Sequence, residues 1–282
     1  MMKELIEDFK ALSKNTHKII KLVEQYEKLN ANPINNVYIL EKKLTEISKV
    51  AGSLPDFSSK ESLLSWVNRT KEELEKIKED FRFQFGRELK ELLEKDGKKM
   101  RGQYPLLRIG LYTLKLNFEF GEATLYFGPE IEKLKSKIPL EPRTIFEVIK
   151  KSDNKLRAIK LTPEEIFKDL CEAYNRSLRL VNKPFGEKLL ITKVLSEFVV
   201  LKQPKQFFTD PQRKNFREYS RVTLSYLLYI LKKSTLSDRG MRLYVATFDA
   251  TVDKRNSIWI PENENGEGTY YSYISFEKEQ NV

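Results

Sequence analysis

Three arginines, Arg213, Arg217 and Arg221, stand four residues apart in the last third of this sequence. On a helix that spacing would stack their guanidinium groups along one face, and guanidinium pairs bidentately with phosphate oxygens, so the spacing predicts a ridge for a row of phosphates. Lys214 lies beside the ridge. Lys202 and Lys205 precede it, Lys232 and Lys233 follow it, and Phe207, Phe208, Phe216, Tyr219, Tyr226 and Tyr229 interleave it. From residue 202 to 239 there are nine basic residues and three acidic ones, a large part of the net charge of +10. Clustered cations release counterions from a nucleic-acid backbone, and aromatic rings stack on exposed bases. The expected ligand is therefore nucleic acid, DNA ahead of RNA, contacted by Arg213, Lys214, Arg217, Arg221, Lys232, Lys233, Lys202, Lys205, Phe207 and Phe208. Alanine at Arg213, Arg217 and Arg221 together is expected to weaken that binding and flatten its salt dependence. A smaller basic cluster, Lys98, Lys99, Arg101 and Arg108, precedes the first strand-like pattern.

Acidic residues offer a different chemistry. Asp249 and Asp253, with Glu262, Glu264 and Glu267 close behind, supply the oxygen ligands that Mg²⁺ takes in a nuclease. No acidic residue is followed at the right distance by a Glu/Asp-x-Lys step on a strand, so a divergent Mg²⁺-dependent nuclease is a secondary reading. The residue inventory narrows the rest. With one histidine, His17, and one cysteine, Cys171, the chain has no His/Cys zinc set and no plausible triad. Neither the Walker glycine loop nor the dinucleotide fingerprint occurs. No metal, cofactor or catalytic residue is assigned from the sequence.

The elements that must carry the basic residues follow from periodicity. In the first hundred residues Leu5, Ile6, Phe9, Leu12, Ile19, Ile20, Val23, Tyr26 and Leu29 recur at three and four, predicting one amphipathic helix. Ile34, Val37, Leu40, Leu44, Ile47 and Val50 predict a second. Leu63, Val67, Thr70, Leu74, Ile77 and Phe81 alternate fours and threes like a coiled-coil seam, and Phe85, Leu89 and Leu92 then break the alternation as a stutter. Strand periodicity replaces this from 114 to 127, with a type II′ turn expected at Gly121-Glu122. A short helix is expected at 142–151. Thr162-Pro163-Glu164-Glu165 has the form of a capping box, and the helix behind it should bury Ile166, Phe167, Leu170, Cys171, Tyr174, Leu178 and Val181. Residues 189–201 are assigned to a helix, 212–233 to another, and 242–248, 257–260 and 270–276 to strands.

The expected fold class is α+β: a helical, partly coiled-coil docking region over 1–100, then a basic body over 101–282 with a β-hairpin, several helices and C-terminal antiparallel strands. No run has the ~18 apolar residues of a membrane span and no secretion signal opens the chain, so a cytoplasmic protein is expected. The functional expectation is a non-enzymatic, nucleic-acid-binding accessory subunit of a larger assembly, in DNA processing or antiviral defence against foreign DNA. Its helical region would dock a protein partner such as an ATPase or nuclease subunit. The alternative to it is a protein–protein scaffold whose basic ridge meets an acidic partner, with the nuclease second.

Overall fold

A computed structural model describes residues 2–56, 58–234 and 240–277. The side chains of Glu4 and Leu5 lie outside the description, as does the end of the basic stretch at 235–239. The fold is α+β, with an N-terminal helical region and antiparallel strands towards the C-terminus. It divides into two compact units: Met1–Gly97 with Asn117–Ala123 and Pro139–Phe146, and Lys98–Leu116 with Thr124–Ile138 and Glu147–Val282.

The first unit is built on α1 (Met2–Asn30), α2 (Pro33–Gly52) and α3 (Lys60–Lys95). Helices α2 and α3 run antiparallel, because Lys78 Nζ reaches Glu41 at 2.6 Å while Arg82 Nε donates to the Tyr38 hydroxyl at 3.1 Å. Burial opposes the charge of Lys78, but its hydrogen bonds to Glu41 and Glu75 outweigh that effect and the pKa is raised. The buried positions of α3, among them Val67, Thr70, Leu74, Lys78, Phe85, Leu89 and Leu93, recur on average about every 3.7 residues, nearer the 3.6 of a straight helix than the 3.5 of a coiled-coil seam. Leu93 is buried in place of the expected Leu92. Among the described side chains of α1 only Leu22 and Tyr26 are buried, whereas Ile6, Phe9 and Ile20 stay exposed. The apolar stripe expected there outruns its partner, since α2 has 20 residues against 29 in α1.

Beyond α3, strands β1 (Met100–Gln103), β2 (Leu106–Ile109), β3 (Tyr112–Asn117), β4 (Glu122–Phe127) and β5 (Glu132–Pro139) pair in chain order. The β3–β4 turn differs from the expected one. Phe118 O accepts from the Gly121 amide, which puts Glu119-Phe120 at the centre and leaves Gly121 in the left-handed region at φ 65°. Phe118, at this tip, packs in the first unit with Tyr38, Phe81 and Phe85. Strand β5 holds Lys133, Lys135 and Lys137, all exposed, with Leu134 partly buried and Ile138 buried between and after them.

Helix α4 (Pro142–Arg157), whose residues up to Phe146 belong to the first unit, leads to α5 (Pro163–Leu180) in the second, and both halves of the Thr162 capping box form. Val181, expected inside, is 43% exposed because the helix stops one residue before it. Strand β6 (Leu189–Leu190) enters α6 (Ile191–Leu201), and after α7 (Lys205–Thr209) come α8 (Arg221–Lys233), β7 (Met241–Val245), α9 (Phe248–Val252), β8 (Ile258–Pro261) and β9 (Gly268–Phe276). Strand β9 is central: β7 pairs along it on one side, β8 and β6 in succession on the other. Helices α5, α6 and α8 supply Tyr174, Phe198 and Leu228 to a core shared with Ile274 and Phe276 of β9, and Cys171 is half-buried against it. Among the described residues no helix is long and apolar enough to cross a membrane.

The capping box orients α5 over that core. Thr162→Ala is expected to lower stability by about 1 kcal/mol, read as an earlier midpoint in urea unfolding with an unchanged slope.

Candidate nucleic-acid interface

The helix expected over 212–233 begins only at Arg221. Pro211 precedes a 3₁₀ turn at Arg213–Asn215, residues 216–220 are non-helical, and the Ser220 hydroxyl accepts from the Thr223 amide to start α8. Ser220 is the N-cap signal that the sequence reading missed. The predicted ridge therefore does not exist as three arginines on one helical face.

Gln203 holds the segment in its observed path. Its amide, 7% exposed, donates from Nε2 to Val199 O at 2.8 Å and to Arg217 O at 3.0 Å, while Oε1 accepts from the Arg217 amide at 2.8 Å. One side chain thus pairs both backbone polar groups of Arg217, satisfying in a loop what a helix or strand would otherwise satisfy. Asn215 adds a second brace by donating to Asp210 O at 2.8 Å.

The sequence-predicted residues sort into two groups. Arg221 is committed to the fold: Nε donates to Glu132 at 2.9 Å, Nη1 to Lys254 O at 2.8 Å and Nη2 to Ser257 O at 2.7 Å. Lys202 is paired with Asp169 at 2.6 Å. Lys232 meets the Tyr271 hydroxyl at 2.6 Å and Glu262 at 3.1 Å, and Lys233 meets Glu264 at 2.8 Å. In the second cluster Lys98 pairs with Asp153 and Arg108 donates to Thr113.

The other group stays available. Among the described residues the side chains of Lys205, Arg213 and Arg217 enter no ion pair or hydrogen bond, and all three are exposed. Lys214 has only a 4.0 Å approach to Asp210. Within this basic segment Phe207 lies 5.6 Å from Phe208 and 5.5 Å from Phe216, ring centre to ring centre. Phe208 and Phe216 are 60% and 40% exposed, so rings that would ordinarily seek a core face water among cations. Phe216 belongs to this trio although the sequence had offered it only as one of several interleaved aromatics.

Next to the loop lies an open groove of about 940 Å³. Leu195, Val199, Leu224 and Ile258 are among its apolar walls, Tyr219 and Arg221 stand on the loop side, and Lys193, Lys254 and Arg255 supply further cations. Val199 is also the residue whose carbonyl Gln203 holds, so one amide braces both the groove wall and the basic loop. Asp253 is the lining carboxylate. Arg255 bonds it through its side chain and its amide, which holds the Asp253 carboxyl below the usual range.

Four of the five acidic residues considered as Mg²⁺ ligands are drawn into separate contacts, Asp253 with Arg255, Glu262 with Lys232, Glu264 with Lys233 and Glu267 with Asn263, and Asp249 is exposed on α9. Among the described residues no three His, Cys, Asp or Glu gather as a metal-holding group. His17 is exposed on α1, its Nδ1 2.9 Å from Ser13 O. No family model, curated protein or solved structure matches the chain.

The two groups of cations should separate in unfolding experiments. Arg221→Ala is expected to cost about 2–3 kcal/mol, because it strips two carbonyls of their donor and Glu132 of a partner, whereas Arg213→Ala should stay within about 0.5 kcal/mol of the parent.

Proposed function

We propose that this protein binds nucleic acid through the loop at 204–217, as a non-enzymatic accessory subunit. The observation that carries the reading is the Phe207, Phe208 and Phe216 trio, with Phe208 and Phe216 exposed and Phe207 partly buried, set among the uncommitted Lys205, Arg213 and Arg217. The cations neutralise phosphates with release of counterions, and the rings stack on bases. A scaffold that met an acidic protein surface would use the same cations but would give the three rings no task.

In this proposal the helical unit docks a protein partner, consistent with the apolar Ile6, Phe9, Ile39 and Phe83 side chains it leaves in water. That partner would supply the catalytic step, as an ATPase or nuclease subunit in DNA processing or in defence against foreign DNA, in the cytoplasm. DNA remains the favoured ligand.

The test is fluorescence anisotropy with labelled oligonucleotides over a range of salt. Replacing Lys205, Arg213 and Arg217 together by alanine should weaken binding and reduce the slope of log K against log salt by about 2–3, one phosphate contact per cation. An unchanged slope would remove this loop from the interface.

A further inference from the structure

We infer that the groove beside the loop admits unpaired nucleobases, so that the ligand is single-stranded rather than duplex nucleic acid. The inference rests on the nucleic-acid reading above and narrows it. Its first support is chemical complementarity. The groove combines the apolar Leu195, Val199, Leu224 and Ile258 with the cations Lys193, Lys254 and Arg255. A ligand that satisfies both must carry flat, weakly polar groups together with a repeated negative charge. A single strand does so at every nucleotide, whereas a duplex keeps its bases stacked inside and presents phosphates and sugars outward. A duplex laid over this groove would set hydrated phosphates against aliphatic side chains and leave the apolar surface unfilled.

The second support is size. At about 940 Å³ the open groove has room for a base with its sugar, within the roughly 300–1,000 Å³ range of small-molecule sites.

The third is continuity along the chain. Phe216 and Arg217 belong to the aromatic and basic loop, Tyr219 two residues later lines the groove, and Gln203 fixes Arg217 to Val199 of the groove wall. Stacking on the phenylalanine trio already requires unpaired bases, since phenyl rings carry no hydrogen-bonding group to read a paired one. The groove supplies a second place for bases on the same strand. Its electrostatic balance favours the strand as well: four cations line it against Asp253, and Glu132 takes up part of the charge of Arg221 and Lys254. Lys193 is exposed and enters no ion pair among the described residues, which makes it the cation best placed to meet a phosphate at the rim.

The experiment uses the full chain and three labelled probes: a 20-nucleotide thymidine strand, a 20-nucleotide uridine strand, and a 20-base-pair DNA duplex, each titrated at two salt concentrations. Single strands are expected to bind about tenfold or more tightly than the duplex. Ser196→Trp, which puts an indole into the groove from an exposed position, should weaken single-strand binding about tenfold and leave duplex binding unchanged. Lys193→Glu, a surface exchange that spares the core, should weaken single-strand binding too; circular dichroism and urea midpoints check that both variants fold. Equal affinity for single strand and duplex, or single-strand affinity indifferent to both variants, would overturn the inference while leaving nucleic-acid binding by the loop intact. Absence of binding to all three probes at the lower salt would overturn the nucleic-acid reading itself, and this inference with it.

Discussion

The guanidinium group of Arg221 is the tie on which the basic half of the second unit depends. It joins the start of α8 to Glu132 in β5 and to the carbonyls of Lys254 and Ser257. An arginine in the first turn of a helix is ill-placed against the helix dipole. Glu132, only partly exposed and bonded also by Lys254, supplies the negative charge that makes the position tenable. The planar fork of arginine suits this task, because its Nε, Nη1 and Nη2 donors reach three separated acceptors in fixed, divergent directions, a span that the compact ammonium of a lysine does not have. The Ser220 cap starts α8 at Arg221, and Gln203 holds the chain before it in a non-helical path.

The arrangement redistributes the charge that the sequence advertises. A count of lysines and arginines over 202–239 suggests an unbroken basic surface, yet Lys202, Arg221, Lys232 and Lys233 are each paired with a carboxylate from another element. Those pairs connect α6 to α5, and α8 to β5 and to the loop before β9. Among the described residues, the cations left over in this stretch are those on the braced loop, next to rings that find no place in the core. In the proposed reading, stability and binding fall to different members of one cluster.

Much of the architecture was legible in the amino-acid pattern. Long three-and-four periodicity marked α1, α2 and α3, and Thr162 with Glu165 announced α5. The alternation from 114 onward marked the β3–β4 pair, and the C-terminal strands stood close to their expected places. What was not legible depended on contacts distant in sequence. The extended path through Phe216 and Arg217 relies on Gln203, fourteen residues upstream of Arg217, and nothing in local propensity reveals that partner. Four-residue spacing of arginines read as a helix because periodicity alone cannot weigh Pro211 and Ser220, two residues that favour a break and a fresh start. Within the candidate site, Lys205, Phe207, Phe208, Arg213 and Arg217 were anticipated as a group; the groove was not, since its walls come from α6, α8 and the segment before β8.

In the proposed reading, a loop held by Gln203 and Arg221, rather than a helical ridge, presents the ligand-binding surface. Amide hydrogen exchange on the full chain, with and without a saturating single-stranded oligonucleotide, tests it most directly. The account predicts slowed exchange at 205–217 and along the groove at 192–196 and 253–256, with α1 to α3 unchanged. Protection confined to α1 to α3, or none at 205–217 despite measured binding, would contradict it.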